Sequence, residues 1–431
     1  MVSSSGPRPG RVAAHVAALP ASGIREFFDL VRLAGSGPDA RGRRLISLAI
    51  GEPDFDTPWH VREAAIWALE KGRTGYTPSL GLLPLRAAIA DHVETETGVR
   101  YDPEREVIVT VGVSEGLDLA LRAVVEPGDE VLHQDPCYVS YGPSILLLHG
   151  VPVAVPTTAD DGFAFDPGGV KRAITPHTRA LLLNFPANPT GSTLGEDVGR
   201  ELARSAERHD LTVIADEIYA ELTYDEPARS FVSFPGMRER TILLRGFSKP
   251  FAMTGFRIGY ACGPAPLIDA MNKIHQYAML CAPALAQEAA LEALRHGRQA
   301  RLSMREQFRL RRNYLVRSLC DLGLGCHRPD GAFYAFPDIR STGLPSRTFA
   351  LRLLEEQRVA VVPGGAFGAA GEGFVRCAYA AGLPQLEEAI SRMCEFLAGL
   401  HAGPASRAAA GAGAAPPGEG TKTRKPTRRS P

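Results

Sequence analysis

The segment RGFSKPFAMTGFRIGY, residues 245–260, contains the lysine best suited to chemistry in this chain. Only six of the 48 basic residues are lysines, so arginine is the usual cation here and the amine of Lys249 stands out. A lysine held among apolar groups can lose its proton and form a Schiff base with a carbonyl, which arginine cannot do. Ser248 and Arg257 add a hydroxyl and a guanidinium suited to phosphate, so the segment predicts a site for a phosphorylated aldehyde. An isolated Ser-Lys pair would be better interpreted as a surface turn, and the rest of the chain decides between the two.

The elements that must position this lysine form an alternating pattern. Stretches with helical character, such as 114–125 and 197–208, separate most of seven apolar, β-branched runs: residues 107–110, 130–134, 151–155, 180–184, 211–217, 241–247 and 257–263. Continuous apolar strands between helices are typical of a mostly parallel sheet covered on both faces. The sequence therefore predicts an α/β fold with a seven-stranded sheet. Ligands of such folds bind beyond the carboxyl ends of the strands.

Chemically unusual residues follow these predicted strands. The turn 113–115 opens a helix, whose free N–H groups suit a phosphate, although Ser114 is equally suited to capping that helix. Tyr138 follows the second strand and can stack on a flat ring or pack in the core. Asn188 lies between two prolines in FPANPTG. Asp216 ends a buried strand, where a carboxylate needs a cationic or hydrogen-bonding partner.

Four motifs in this order, NFPANPTG, ADEIY, FSKPFAMTGFRIGY and FVRCAY, closely resemble those of the class I/II aminotransferases, in the pyridoxal-phosphate fold type I superfamily. The similarity extends from about Ser22 to Leu400. The resemblance implies pyridoxal 5'-phosphate as cofactor and transfer of an amino group from an L-amino acid to a 2-oxo acid. It also implies a smaller α+β domain beside the main sheet and a homodimer with shared active sites.

The resemblance also implies a role for each cofactor-binding residue. Lys249 would form the internal aldimine and carry the proton, and Asp216 would pair with the pyridine nitrogen. Asn188 and Tyr219 would bond the phenolic oxygen, and Tyr138 would stack on the ring. The phosphate would be bound by Val113, Ser114, Glu115, Ser248, Arg257 and, from the neighbouring subunit, Tyr76.

Substrate binding is implied for three residues, Arg376 for the α-carboxylate and Gly51 and Asn188 beside it.

A lyase, racemase or oxidase on the same scaffold is the alternative function, because the outcome depends on which bond at the α-carbon lies perpendicular to the ring. A DNA-binding regulator would need a further module before the fold, where only about twenty residues are available. There is no arginine between Arg257 and Arg295 to pair with a second substrate carboxylate, so we expect neutral or aromatic donors to compete with aspartate.

We expect five segments along the chain: a disordered leader 1–20, an arm 21–55 contributing to the small domain, a large cofactor-binding domain 56–295, a small domain 296–401 and a disordered basic tail 402–431. The arm should contain a helix within 22–35 and a strand over 45–50. The small domain should contain strands 332–336 and 374–378 and helices near 347–357 and from 384.

Composition narrows the partners and the compartment. Acidic and basic residues are equal at 48 each, so no overall field favours nucleic acid or an anionic membrane. The seven cysteines lack the spacing of a zinc site and favour a reducing cytoplasm. No run approaches the ~20 apolar residues of a membrane span.

Overall fold

The computed structural model describes residues 11–19, 27, 29, 31, 32, 35 and 37–401. Most of the helix expected within 22–35, and the tail 402–431, lie outside these residues. Within the segment 1–20, expected to be disordered, residues 11–19 are described and contain the four-residue helix α1 (Ala14–Ala17), which has no buried residue.

The large sheet has the expected seven strands. The first strand of the chain, β1 (Ile46–Ser47), belongs to a separate small sheet. The large sheet is formed by β2 (Val107–Thr110), β3 (Glu130–Asp135), β4 (Val151–Pro156), β5 (Thr178–Asn184), β6 (Thr212–Asp216), β7 (Thr241–Gly246) and β8 (Gly259–Cys262). Their order is β2-β8-β7-β6-β5-β3-β4. Six of these strands run in one direction, and β8 runs antiparallel to them. The prediction of a mostly parallel α/β sheet is confirmed.

Side chains alternate between two apolar cores along these strands, because successive residues of a strand face opposite sides of the sheet. Leu181 and Leu183 belong to one core, and Leu182 belongs to the other. Helices cover both faces: α2 (Trp59–Glu70), α3 (Leu83–Thr97), α4 (Gly112–Val124), α5 (Tyr141–Leu147), α6 (Pro167–Ala173), α7 (Glu196–Arg208), α8 (Ala265–Ala278) and α9 (Ala284–His296).

A third apolar core lies between two small sheets and three helices. In the first small sheet β1 pairs with β10 (Val359–Ala360). The second contains β9 (Tyr334–Ala335), β11 (Val362–Pro363) and β12 (Val375–Ala378), in the order β11-β12-β9. The helices are α10 (Arg298–Asp321), α11 (Ser346–Gln357) and α12 (Leu383–His401). Four 3-10 turns complete the described elements: Phe231–Ser233, Arg340–Thr342, Gly364–Phe367 and Ala369–Gly371. The domain limits given above remain a prediction.

The strands of the small sheets are shorter than the sequence predicts. The expected strands 45–50 and 332–336 contract to two residues each. After β1 the backbone changes partner, because the Leu48 N–H donates to Ala360 while the Leu48 carbonyl accepts from Ala378. The chain thus bridges two sheets and does not extend one ladder.

Among the described residues no helix is both long and apolar enough to span a membrane. The same part of the chain contains no group of three or more His, Cys, Asp or Glu residues placed to hold a metal ion.

Candidate active site

A cavity of about 360 Å³ lies where the parallel strands of the large sheet end. Its walls come from both the large sheet and the small sheets. The lining residues are Gly51, Val113, Ser114, Leu117, Tyr138, Tyr141, Asn184, Asn188, Asp216, Ile218, Tyr219, Ser248, Lys249, Thr254, Arg257, Tyr334 and Arg376. Nearly all of the sequence-predicted site residues are therefore brought together, and only Glu115 and Tyr76 are not among the lining residues.

Lys249 lies three residues beyond the end of β7 and is a partly buried side chain that lines this cavity. Its Nζ donates a hydrogen bond of 2.7 Å to the carbonyl oxygen of Gly51. Burial, reinforced by the charges of Arg376 and Arg257, lowers the pKa of this amine to about 8. A substantial fraction of Lys249 is therefore neutral, and nucleophilic, near physiological pH.

Asp216 is the last residue of β6 and faces the cavity from the floor of the sheet. Its carboxylate accepts hydrogen bonds from the hydroxyl of Tyr141, at 2.8 Å, and from the backbone N–H of Ile218, at 3.2 Å. Burial nevertheless raises the pKa of Asp216 to about 6. These neutral donors leave the carboxylate short of a cation, so a protonated ring nitrogen in the cavity would stabilise its ionised form.

The start of α4 is suited to binding an anion, because Val113 and Ser114 lie in its first turn and line the cavity. Two glycines allow the chain to close around it. A Cβ at Gly112, which has a φ of +75°, would lie 2.7 Å from Nη2 of Arg257. A Cβ at Gly259 would lie 2.8 Å from the backbone of Gly112 and Val113. Two backbones and a guanidinium thus converge on this end of the cavity.

Two residues of the expected phosphate group have other surroundings. The carboxylate of Glu115 accepts a hydrogen bond from the backbone N–H of Val111 and pairs with Nδ1 of His275 at 2.7 Å. This side chain therefore braces the turn from behind and does not face the cavity, because the helix directs it toward α8. Tyr76 is 87% exposed and lies outside the cavity of its own chain.

Arg376, on β12, is the cation on the opposite wall and is only 2% exposed. Its Nη1 donates to Oδ1 of Asn188 at 2.9 Å, and its Nη2 donates to the carbonyl of Ala49 at 2.7 Å. The guanidinium lies between the rings of Tyr334 and Phe367, with centroids at 4.3 and 4.9 Å. The rings hold a planar, permanently charged group at the cavity wall, where a carboxylate can bind.

Aromatic side chains form the remaining wall. The hydroxyls of Tyr219 and Tyr334 are 2.8 Å apart. Tyr138 lines the cavity and packs edge-on against Tyr141, with ring centroids 5.6 Å apart. The amide of Asn184 donates to the carbonyl of Asp216 and accepts from the N–H of Asn188, so it links two neighbouring strand ends.

Sequence reasoning did not assign six of the lining residues to the site: Leu117, Tyr141, Asn184, Ile218, Thr254 and Tyr334. Three of these have side chains that make hydrogen bonds described above. Tyr141 is the first residue of α5, and Tyr138, three positions earlier, precedes that helix, so the spacing gave no helix-face signal. Asn184 ends a predicted strand and could have been noted for that reason. Tyr334 lies in an apolar run, FYAF, where no local signal distinguishes it from a core residue.

Pyridoxal phosphate fits this donor set. The partly buried amine suits its aldehyde, the buried carboxylate suits its ring nitrogen, and the start of α4 with Ser248 and Arg257 suits its phosphate. An α/β fold of this topology with this site defines a pyridoxal-phosphate-dependent enzyme of fold type I.

Comparisons with known proteins agree with this class. The family model described as aminotransferase class I and II matches residues 43–393. The chain is 50% identical over 383 residues to the putative aminotransferase YugH of Bacillus subtilis, covering 89% of this chain and 97% of that protein. It is 42% identical over 380 residues to aromatic-amino-acid aminotransferase 2 of Thermococcus litoralis, covering 87% and 95% of the two chains.

Among solved structures, the aspartate aminotransferase from Thermus thermophilus with maleate has a TM-score of 0.84 and 40% identity, covering 90% of this chain and all of that one. The chain belongs to the class I and II aminotransferases. It is a pyridoxal-phosphate-dependent transferase of amino groups between amino acids and oxo acids.

Proposed function

We propose that this aminotransferase bonds its cofactor covalently through Lys249 and that neutral and aromatic amino acids compete with aspartate as its donors. The observation that carries the first part is the partly buried Lys249 amine, with its pKa lowered to about 8, in one cavity with the buried carboxylate of Asp216. When bound, the cofactor supplies a protonated ring that withdraws electrons from the substrate α-carbon.

The chain's own groups hold that ring and move the proton. Asp216 keeps the ring nitrogen protonated, and the hydroxyl of Tyr141 and the N–H of Ile218 fix the direction of its carboxylate. Tyr219 and Asn188 bond the phenolic oxygen. The Lys249 amine, when not bonded to the cofactor, would hold and move the proton at its Nζ atom.

The substrate α-carboxylate binds Arg376 next to Gly51 and Asn188. This proposal is supported by the burial of Arg376 and by the hydrogen bond from its Nη1 to Asn188, which keep the guanidinium in one orientation. A bidentate arginine contact orients an amino acid, so the same contact serves every donor and does not select among side chains.

Selection among donors depends on what else lines the cavity. Its charged lining residues in the described part of the chain are Asp216, Lys249, Arg257 and Arg376, and each already has a proposed role. A second substrate carboxylate would therefore enter a closed site without a cation to pair with, which is heavily penalised. The names of the relatives include both aromatic and aspartate aminotransferases, so the choice must be measured on this chain.

We infer a homodimer with shared active sites. Tyr76 is 87% exposed, and an exposed apolar segment at the C-terminal end of α8 includes Tyr277 at 94% and Met279 at 53%. Patches of this kind mark protein interfaces.

We also propose a cytoplasmic location, supported by seven cysteines, all in the described part of the chain and all free thiols.

The test of specificity compares kcat/KM for aspartate, alanine, methionine and phenylalanine at one pH. We expect phenylalanine and methionine to equal or exceed aspartate. A preference for aspartate above about a hundredfold, roughly 2.7 kcal/mol of differential transition-state binding, would contradict the proposal.

Arg376→Lys is the matched control for this comparison. It should lower kcat/KM for all four donors by about tenfold to a hundredfold, because a lysine cannot reproduce the two charged hydrogen bonds. A loss of kcat/KM confined to aspartate would show instead that Arg376 binds the side-chain carboxylate.

A further inference from the structure

The hydroxyl of Tyr334 is an unassigned polar group in the cavity wall. It lies 2.8 Å from the hydroxyl of Tyr219, and both side chains are almost completely buried. The two residues come from different parts of the fold, since Tyr219 follows β6 of the large sheet and Tyr334 begins β9 of the small sheet. Their bond is therefore a polar link across the cavity between the two sheets.

Either hydroxyl can donate in this bond, and the groups around Tyr334 favour Tyr334 as the donor. Burial raises the pKa of both tyrosines, so each hydroxyl keeps its single proton. Within the described residues, Tyr219 is the hydrogen-bond partner found for the Tyr334 hydroxyl. Arg376, beneath the Tyr334 ring at 4.3 Å, has donors only and cannot accept that proton. Gly51 packs so closely that a Cβ there would lie 2.5 Å from the Tyr334 oxygen.

We therefore take Tyr334 as the donor and the oxygen of Tyr219 as the acceptor. Tyr219 then has its own proton free for an acceptor in the cavity, and donating to that acceptor completes a chain of two hydrogen bonds. Bonds in such a chain polarise one another, so the first strengthens the second.

We propose that Tyr334 is a positioning residue that acts through Tyr219 on the phenolic oxygen of the cofactor. This inference rests on the proposed function, in which Tyr219 bonds that oxygen. Negative charge on the phenolic oxygen is greatest when the nitrogen joining Lys249 to the cofactor is unprotonated. A stronger donation from Tyr219 favours that form and keeps the pKa of this nitrogen low.

Packing is the competing explanation, because Tyr334 also touches Phe333, at 4.8 Å between ring centroids, and belongs to the small-sheet core. Tyr334→Phe separates the two, since it keeps the ring and removes only the hydroxyl. Tyr219→Phe removes the proposed target. The double variant removes both hydroxyls and leaves neither one buried without a partner.

The experiment is an absorbance titration of the cofactor band between pH 5 and 10 in the holoenzyme and these three variants. We expect Tyr219→Phe to raise the pKa of the band by about one unit or more, a tenfold change in proton affinity. Tyr334→Phe should raise it by a smaller amount, and the double variant should match Tyr219→Phe. Tyr379→Phe is the control, because its buried hydroxyl donates to the carbonyl of Ala332 at 3.3 Å, and we expect no shift.

An unshifted Tyr334→Phe, or a double variant whose shift is the sum of the two single shifts, would overturn this inference. Tyr334 would then act by packing or independently of Tyr219. A wild-type protein without any titrating band would instead overturn the proposed function, and the inference with it.

Discussion

In the proposed function Lys249 has the central chemical role, and its surroundings suit an amine. It donates to the Gly51 carbonyl, and burial lowers its pKa to about 8. We expect borohydride to trap the cofactor on Lys249, as located by peptide mapping. Lys249→Arg should abolish this label and lower turnover at least about a thousandfold, because arginine can neither form the bond nor carry the proton.

Lys273→Arg is the control for that change. Lys273 is exposed on α8 and pairs with Asp269 at 3.2 Å, so its replacement should leave both label and turnover unchanged. Recovery of the label on Lys273 or Lys171 would refute the role given to Lys249.

At the scale of elements, the close approach of β8 shapes the start of α4, which is suited to binding an anion. Gly259→Ala would place a Cβ 2.8 Å from the backbone of Gly112 and Val113. Backbone cannot rotate away as a side chain can, so the helix start must shift. We expect cofactor affinity, measured by titration of the apoenzyme, to fall about tenfold, equivalent to about 1.4 kcal/mol.

Gly255→Ala provides the comparison, because Gly255 lies in the loop just before β8 and a Cβ there meets nothing within 4 Å. Its cofactor affinity and melting temperature should equal those of the unmodified enzyme. An unchanged affinity in Gly259→Ala would show that the start of α4 is not the phosphate site.

Much of this element structure could be predicted from sequence because its signals are local. The apolar runs of the large sheet, such as Leu181–Leu183, are buried on both faces, and unusual residues such as Asp216 mark where strands end. The strands of the small sheets could not be predicted from local sequence signals. Their two-residue strands depend on backbone partners far away in sequence, as for Leu48 with Ala360 and Ala378.

The same limit applies to side chains whose partners are distant. The sequence places Glu115 in a turn suited to phosphate, but its carboxylate pairs with His275, 160 positions away. Tyr334 bonds Tyr219 across 115 positions. Neither pairing has a local pattern, and both are set by how the helices and the two sheets pack together.

At the scale of the whole molecule, the exposure of Tyr76 bears on whether each active site contains residues from one chain or from two. Tyr76 is 87% exposed and lies outside its own cavity, yet its motif implies contact with a neighbouring phosphate. If two chains share each site, Lys249→Ala removes the lysine that a chain supplies to its own site, and Tyr76→Phe removes the hydroxyl that it supplies to the partner's site. A mixed dimer then has one intact site and one site with both defects.

We therefore expect mixing of these two variants to restore activity at limiting cofactor. Random exchange of subunits should give about one quarter of all sites the unmodified pair, since half of the dimers are mixed and each has one intact site. Mixing Lys249→Ala with Lys249→Arg is the control, because neither chain can supply the lysine. Activity that stays at the sum of the separate variants after proven exchange would place Tyr76 outside the partner's site. The exposed Tyr76 would then need an explanation other than a shared active site.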